Sequence, residues 1–132
     1  MKRIRYLYEA IYRKYGEDGL DLIKDVSAAY GLEIAQRVRK DDAPWDIQQV
    51  GQYLVKVFNN MRSEGKVSEF TDQRVSIEVP RCPYPFQNVN ICRAHTVMEE
   101  ALVKGLNPNL KYVIEKSIPA GDQCCQHVLS YE

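Results

Sequence analysis

What most limits the fold of this chain is a change of hydrophobic period at Gly65. Before that residue, apolar side chains recur at intervals of three and four, the spacing of a helix with one face toward a core. After it they alternate, the spacing of a half-buried strand. Helices followed by a sheet within 132 residues describe a single α+β domain with one core, its helical part at 1–64 and its sheet with a Cys/His helix at 65–132.

Ile4, Leu7, Tyr8, Ile11, Tyr12 and Tyr15 predict a first helix ended by Gly16, with a stripe that packs in the core or at a dimer interface. Leu22, Ile23, Val26, Ala29, Tyr30, Ile34 and Val38 predict a second helix over 18–40, and Gly31 is a place where it could split. Asp42 is expected to cap a third, with Pro44 in its first turn and Ile47, Val50, Leu54, Val57, Phe58 and Met61 as its apolar side. Beyond Gly65, Val75, Ile77 and Val79 alternate with Arg74, Ser76 and Glu78. Val67 to Phe70 is the natural hairpin partner, turning at Thr71-Asp72-Gln73. Pro80, Pro83 and Pro85 make 80–87 a loop that carries Cys82.

All four cysteines and both histidines fall between Cys82 and His127. The run from Ile91 reads as a helix that stops at Gly105, before Asn107-Pro108-Asn109. With about 100° per residue, Cys92, His95 and Glu99 lie within roughly 60° of one another. Leu102, Val103 and Leu106 continue that stripe, so a thiol, an imidazole and a carboxyl share a core-facing side. A buried carboxyl is costly without a partner, which makes the arrangement worth explaining. Two strands follow around Pro119-Ala120-Gly121-Asp122, the second alternating so that Cys125, His127, Leu129 and Tyr131 face inward and Cys124 outward. The expected layout is therefore N-terminal helices packed on an antiparallel sheet, with a Cys-x-x-His helix between two hairpins.

Composition narrows the function classes. The chain has 18 basic and 18 acidic side chains, and this balance lacks the basic excess of a general nucleic-acid binder. Its nine tyrosines lie mainly on helical stripes and strand faces, where such rings pack, so they do not argue for base stacking. Apolar runs are only a few residues long, so no membrane span is expected. The basic start, Met-Lys-Arg-Ile-Arg-Tyr, lacks the apolar core of a signal peptide, and a cytoplasmic location is expected, with thiols reduced or bound to metal.

Three chemistries fit the Cys/His set. Cys92 and His95, one helical turn apart, could hold zinc or another divalent transition metal together with Cys82 and Cys125, or with Asp122. Alternatively Cys92 or Cys125 attacks as a nucleophile and His95 or His127 takes the proton, while Glu99, Glu100 or Asp122 orients the base or holds a substrate nitrogen. Arg93, Arg81 and Lys104 are nearby cations but lie off the reactive face by the helix count. In the third, the thiols pack as small apolar groups, His95 bonds a carbonyl, His127 fills space and Asp122 closes its turn.

Cys82-Pro83, Ile91-Cys92-x-x-His95 through Glu99-Glu100, Gly105-Leu106-Asn107-Pro108 and Gly121-Asp122-x-x-Cys125, taken as an ordered set, resemble the L-2-amino-thiazoline-4-carboxylate hydrolase family. That family is itself similar to the small-ligand domains of the 4-vinyl reductase type. The resemblance covers about 80–132, and His127 departs from it, standing where an aromatic residue is expected. It implies the same α+β layout and hydrolysis of a carbon–nitrogen bond in a cyclic amidine. The central carbon of such a substrate becomes electrophilic once its nitrogen is protonated, and a thiolate or a metal-bound hydroxide would open the ring. The kinship with 4-vinyl reductase domains implies an alternative, a non-catalytic sensor of a small ligand or a metal. A small-molecule ligand is the expected partner, and a homodimer is compatible with the tyrosine-rich first helix.

Overall fold

The computed structural model describes residues 2–61, 63–81 and 86–132, so Cys82 and most of its loop lie outside the described residues. In chain order these form α1 (Lys2–Tyr15), α2 (Glu17–Val38), α3 (Ile47–Asn60), β1 (Lys66–Phe70), β2 (Arg74–Val79), α4 (Val89–His95), α5 (Val97–Leu106), β3 (Leu110–Lys116), a short 3₁₀ turn (Ile118–Ala120) and β4 (Cys125–Tyr131). The strands pair antiparallel in the order β1-β2-β4-β3. The fold is mixed α+β, and the change of period at Gly65 falls at its first helix-to-strand transition. Among the described residues no helix is long and apolar enough to cross a membrane.

Strand register decides which side chains face the helices. Val75, Ile77 and Val79 on β2 stand opposite Leu129, His127 and Cys125 on β4, and all six are buried. Tyr112 and Ile114 on β3 extend this face, pairing with Leu129 and His127. Against it pack Val50, Leu54 and Phe58 of α3 and Leu102, Val103 and Leu106 of α5, in one continuous apolar core. At roughly 1.5–3 kcal/mol per buried large apolar side chain, this layer is the main source of stability. A smaller cluster joins Leu20 and Ile23 of α2, Phe86 and Ile91 to Ile4, Tyr8, Ile11 and Tyr12 of α1. Four residues of the α1 stripe are thus internal, whereas Leu7 and Tyr15 are exposed.

Several local expectations are corrected. The buried side of α2 is Gly19, Leu20, Ile23, Ser27, Gly31 and Ala35, while Leu22, Val26 and Tyr30 face out. Small residues win because α5 approaches so closely: a Cβ at Gly31 would lie 2.2 Å from the Met98 carbonyl oxygen, and one at Gly105 would lie 2.6 Å from the Ala35 Cβ. Neither glycine breaks its helix, and α5 runs on through Leu106. The cap of α3 is Asp46 rather than Asp42, since Asp46 and Gln49 satisfy each other's backbone N–H groups in a capping box and Pro44 precedes the helix. The Cys/His segment is two helices, broken at Thr96. Thr96 Oγ1 donates to the Arg93 carbonyl at 3.0 Å, offering that oxygen a side-chain partner where the ladder would continue. Tyr131, expected to face inward, ends exposed at the edge of β4.

Candidate active site

Across the break at Thr96, α4 and α5 keep Cys92, His95 and Glu99 on one side, as their spacing of three and four requires. All three are buried, and each has less than a tenth of its surface exposed. Facing them, β4 contributes Cys125 and His127 from alternate positions. These five side chains, with Phe58, Phe86, Thr96, Ile114 and Ser117, line one narrow chamber of about 30 Å³. That is room for a single water molecule. The sulfur and imidazole of the late helix and the inward sulfur of the last strand therefore meet around one small space.

Aromatic rings hold the imidazoles. His95 lies against Tyr8 and Phe86, with ring centroids 5.7 and 5.2 Å away. His127 packs on Phe58 at 4.6 Å and on Tyr112 at 5.8 Å, and its Nδ1 shares a hydrogen bond with the Tyr112 hydroxyl. The Cys125 Sγ accepts the Ile118 N–H at 3.4 Å. Glu99 Oε2 and Ser117 Oγ are buried and have no hydrogen-bond partner among the described residues.

Burial sets the charge of this chamber. It pushes both His95 and His127 down to about 4 and lifts Glu99 to about 8, a backbone hydrogen bond opposing the rise of Glu99 only in part. The Tyr112 hydroxyl is pushed up as well, first by burial and then by Glu99, Cys92, Cys125 and Glu100. At neutral pH the two imidazoles are therefore uncharged and Glu99 is mostly a carboxylic acid. A neutral acid can donate a proton, and a neutral imidazole can accept one or bind a metal.

Outside the chamber lies a cleft of about 270 Å³, lined by Cys92, Arg93, Thr96, Glu100, Tyr112, Ile114, Glu115, Ser117, Ala120 and Asp122. Cys92, Thr96, Ile114 and Ser117 belong to both walls. Among the described residues the cleft presents one cation, Arg93, and three acidic side chains, Glu100, Glu115 and Asp122. Arg74 reaches Glu115 at 3.3 Å, and Asp122 accepts the Ser117 N–H at 2.8 Å.

The sequence-derived candidates thus separate. Cys92, His95, Glu99 and Cys125 converge, whereas Asp122 is exposed in the cleft and absent from the chamber wall. Asp122 closes its own turn, the structural role foreseen for it. Cys124 is half-buried, and Cys82 lies outside the described residues. Among the described residues no three His, Cys, Asp or Glu side chains are arranged to hold a metal ion. Arg93, expected off the reactive face, borders the cleft, while Arg81 pairs with Glu64 at 3.6 Å and Lys104 with Glu132. His127, read as filler, is a chamber residue, and its even spacing from Cys125 was the signal for it. Phe58 and Ser117 carried no such signal, since only the tertiary fold brings them in.

No protein-family model matches this chain. No curated protein matches it either.

Proposed function

We propose that this chain is a small cytoplasmic hydrolase-like protein that acts on a carbon–nitrogen bond of a small cyclic amidine, of the amino-thiazoline type. The observation that supports the reading most is the position of Cys92: its side chain borders both the cleft, large enough for a small molecule, and the chamber that holds His95 and Glu99. Cys125 borders only the chamber, so Cys92 is the better nucleophile of the two. An amidinium in the cleft would meet Glu100 and Asp122, and a carboxylate on the same molecule would meet Arg93. The reaction adds one water across the ring carbon–nitrogen bond. Cys92 Sγ bonds to the amidine carbon as its proton passes to His95. The carbon–nitrogen bond breaks, and the leaving nitrogen takes a proton that comes from Glu99, relayed by the one water the chamber has room for because Glu99 does not border the cleft; its pKa near 8 suits a donor at neutral pH. Water then attacks the same carbon, giving its proton to the Glu99 carboxylate, and the sulfur departs with the proton that His95 took, so that Cys92, His95 and Glu99 all return to their starting forms.

A second reading is a non-catalytic site for a small ligand or a metal, as in domains of the 4-vinyl reductase type. The donor types in the chamber favour it, because imidazoles held neutral and thiols facing one space suit a borderline-soft divalent ion such as zinc. Cys92, His95 and Cys125 are not arranged around one point, so to hold an ion they would have to draw together and take Cys82 as a further ligand, and a bound ion would supply Lewis-acid activation.

The two readings separate by turnover of 2-amino-thiazoline-4-carboxylate and by metal content. The hydrolase reading expects Cys92→Ser to lose at least about 100-fold in rate, with Cys124→Ser unchanged. Binding without turnover, or activity that survives Cys92→Ser, would exclude Cys92 catalysis. Stoichiometric metal lost on substitution of Cys92, His95 or Cys125 would favour the second reading.

A further inference from the structure

The α1–α2 hairpin exposes more apolar surface than its packing explains. Leu22, Val26 and Tyr30, at intervals of four on the outer side of α2, are 49, 54 and 51% exposed. Ile11 of α1 meets Gly19 of α2, and Leu7 on α1 is likewise 56% exposed. Monomers seldom leave contiguous patches of this kind open, and the patch is remote in composition from the reactive site, sharing no residue with the cleft or the chamber.

Charge indicates what covers it. On α1 the outer stripe reads Arg3, Leu7, Ala10, Lys14, an apolar centre with a cation at each end. On α2 the exposed Leu22, Val26 and Tyr30 are accompanied by the exposed acids Asp18, Asp25 and Glu33, with Arg37 a single cation at the far end of the stripe. A cation-edged stripe and an acid-edged stripe are complementary, and both belong to the same chain. A twofold axis satisfies both at once, because α1 of one copy then meets α2 of the other and the converse holds by symmetry. We propose that this face pairs with the same face of a second copy, forming a homodimer through a four-helix contact that leaves the cleft open.

The test uses the full chain and its mass in solution. Wild type is expected at about twice 15.3 kDa by light scattering, and Val26→Asp, at an exposed position that tolerates the change, at the single-chain mass with an unaltered circular dichroism spectrum. The decisive comparison reverses charge on one helix at a time. Asp25→Lys with Glu33→Lys makes both stripes basic, and Arg3→Glu with Lys14→Glu makes both acidic. Each doubly substituted chain should be a monomer alone, and an equimolar mixture should give a heterodimer. A monomeric wild type, a dimer indifferent to Val26→Asp and to both reversals, or reversed chains that stay apart when mixed would overturn the proposal. Co-sedimentation of a monomeric wild type with anionic lipid vesicles would overturn it in favour of a membrane-facing hairpin.

Discussion

Replacing Glu99 with glutamine should change how stability depends on pH in a way that can be worked out from three buried groups. Glu99 titrates near 8 in the folded chain against an ordinary 4.5, so the folded state keeps a proton that the unfolded state releases. The stability this confers is complete below pH 4.5 and is lost as pH rises toward 8. His95 and His127 act in the opposite sense, each titrating near 4 when folded against 6.5 when not. Their contribution is complete above pH 6.5 and is lost as pH falls toward 4. Together the three groups place a maximum near pH 6.5. Above the maximum the loss from Glu99 is partly offset by the last of the gain from the two imidazoles, and from pH 7 to pH 9, where Glu99 dominates, the net loss is about 1 kcal/mol. Urea unfolding followed by circular dichroism between pH 6 and 9 reads this directly. Between pH 7 and 9 wild type should weaken by about that amount, and Glu99→Gln, nearly the same size and without a titrating proton, should instead gain about 0.3 kcal/mol from the two imidazoles. Parallel curves for the two proteins would refute the claim that Glu99 is held as a neutral acid.

Three further outcomes follow from the packing. Gly31→Ala should lower stability by at least about 1–3 kcal/mol in thermal or urea unfolding, because the new Cβ would meet the Met98 carbonyl at 2.2 Å and a backbone atom cannot step aside. Asp46→Ala should cost about 1 kcal/mol through loss of its cap, with Asp42→Ala close to neutral, and the same unfolding assay distinguishes them. Cys124, half-buried, should react with a thiol reagent in the native protein much faster than buried Cys125, which peptide mass spectrometry can follow.

Where side-chain period alone decides, sequence reading anticipated the structure. The hairpins at 66–79 and 110–131, the inward Val75, Ile77 and Val79, and the common side of Cys92, His95 and Glu99 all follow from intervals of two or of three and four. Where an unseen neighbour decides, it did not. The eye is drawn to Leu22, Val26 and Tyr30 on α2, yet α5 selects the side with Ser27, Gly31 and Ala35 because backbones can approach there. Three aspartates, Asp41, Asp42 and Asp46, precede α3, and only the one three residues before Gln49 could complete a reciprocal cap. The break at Thr96 depends on a hydroxyl reaching back to Arg93, which no apolar pattern encodes. At the site all five chemical side chains of the chamber follow from spacing, although His127, which departs from the family pattern, could be read as either a base or filler.

That Cys92 is the atom that meets the substrate carbon is tested most directly by quenching the protein with acid during exposure to 2-amino-thiazoline-4-carboxylate and mapping the adduct by peptide mass spectrometry. A substrate-derived mass on the peptide that contains Cys92 is the predicted result. Turnover with that peptide unmodified, or an adduct on Cys124 instead, would contradict it.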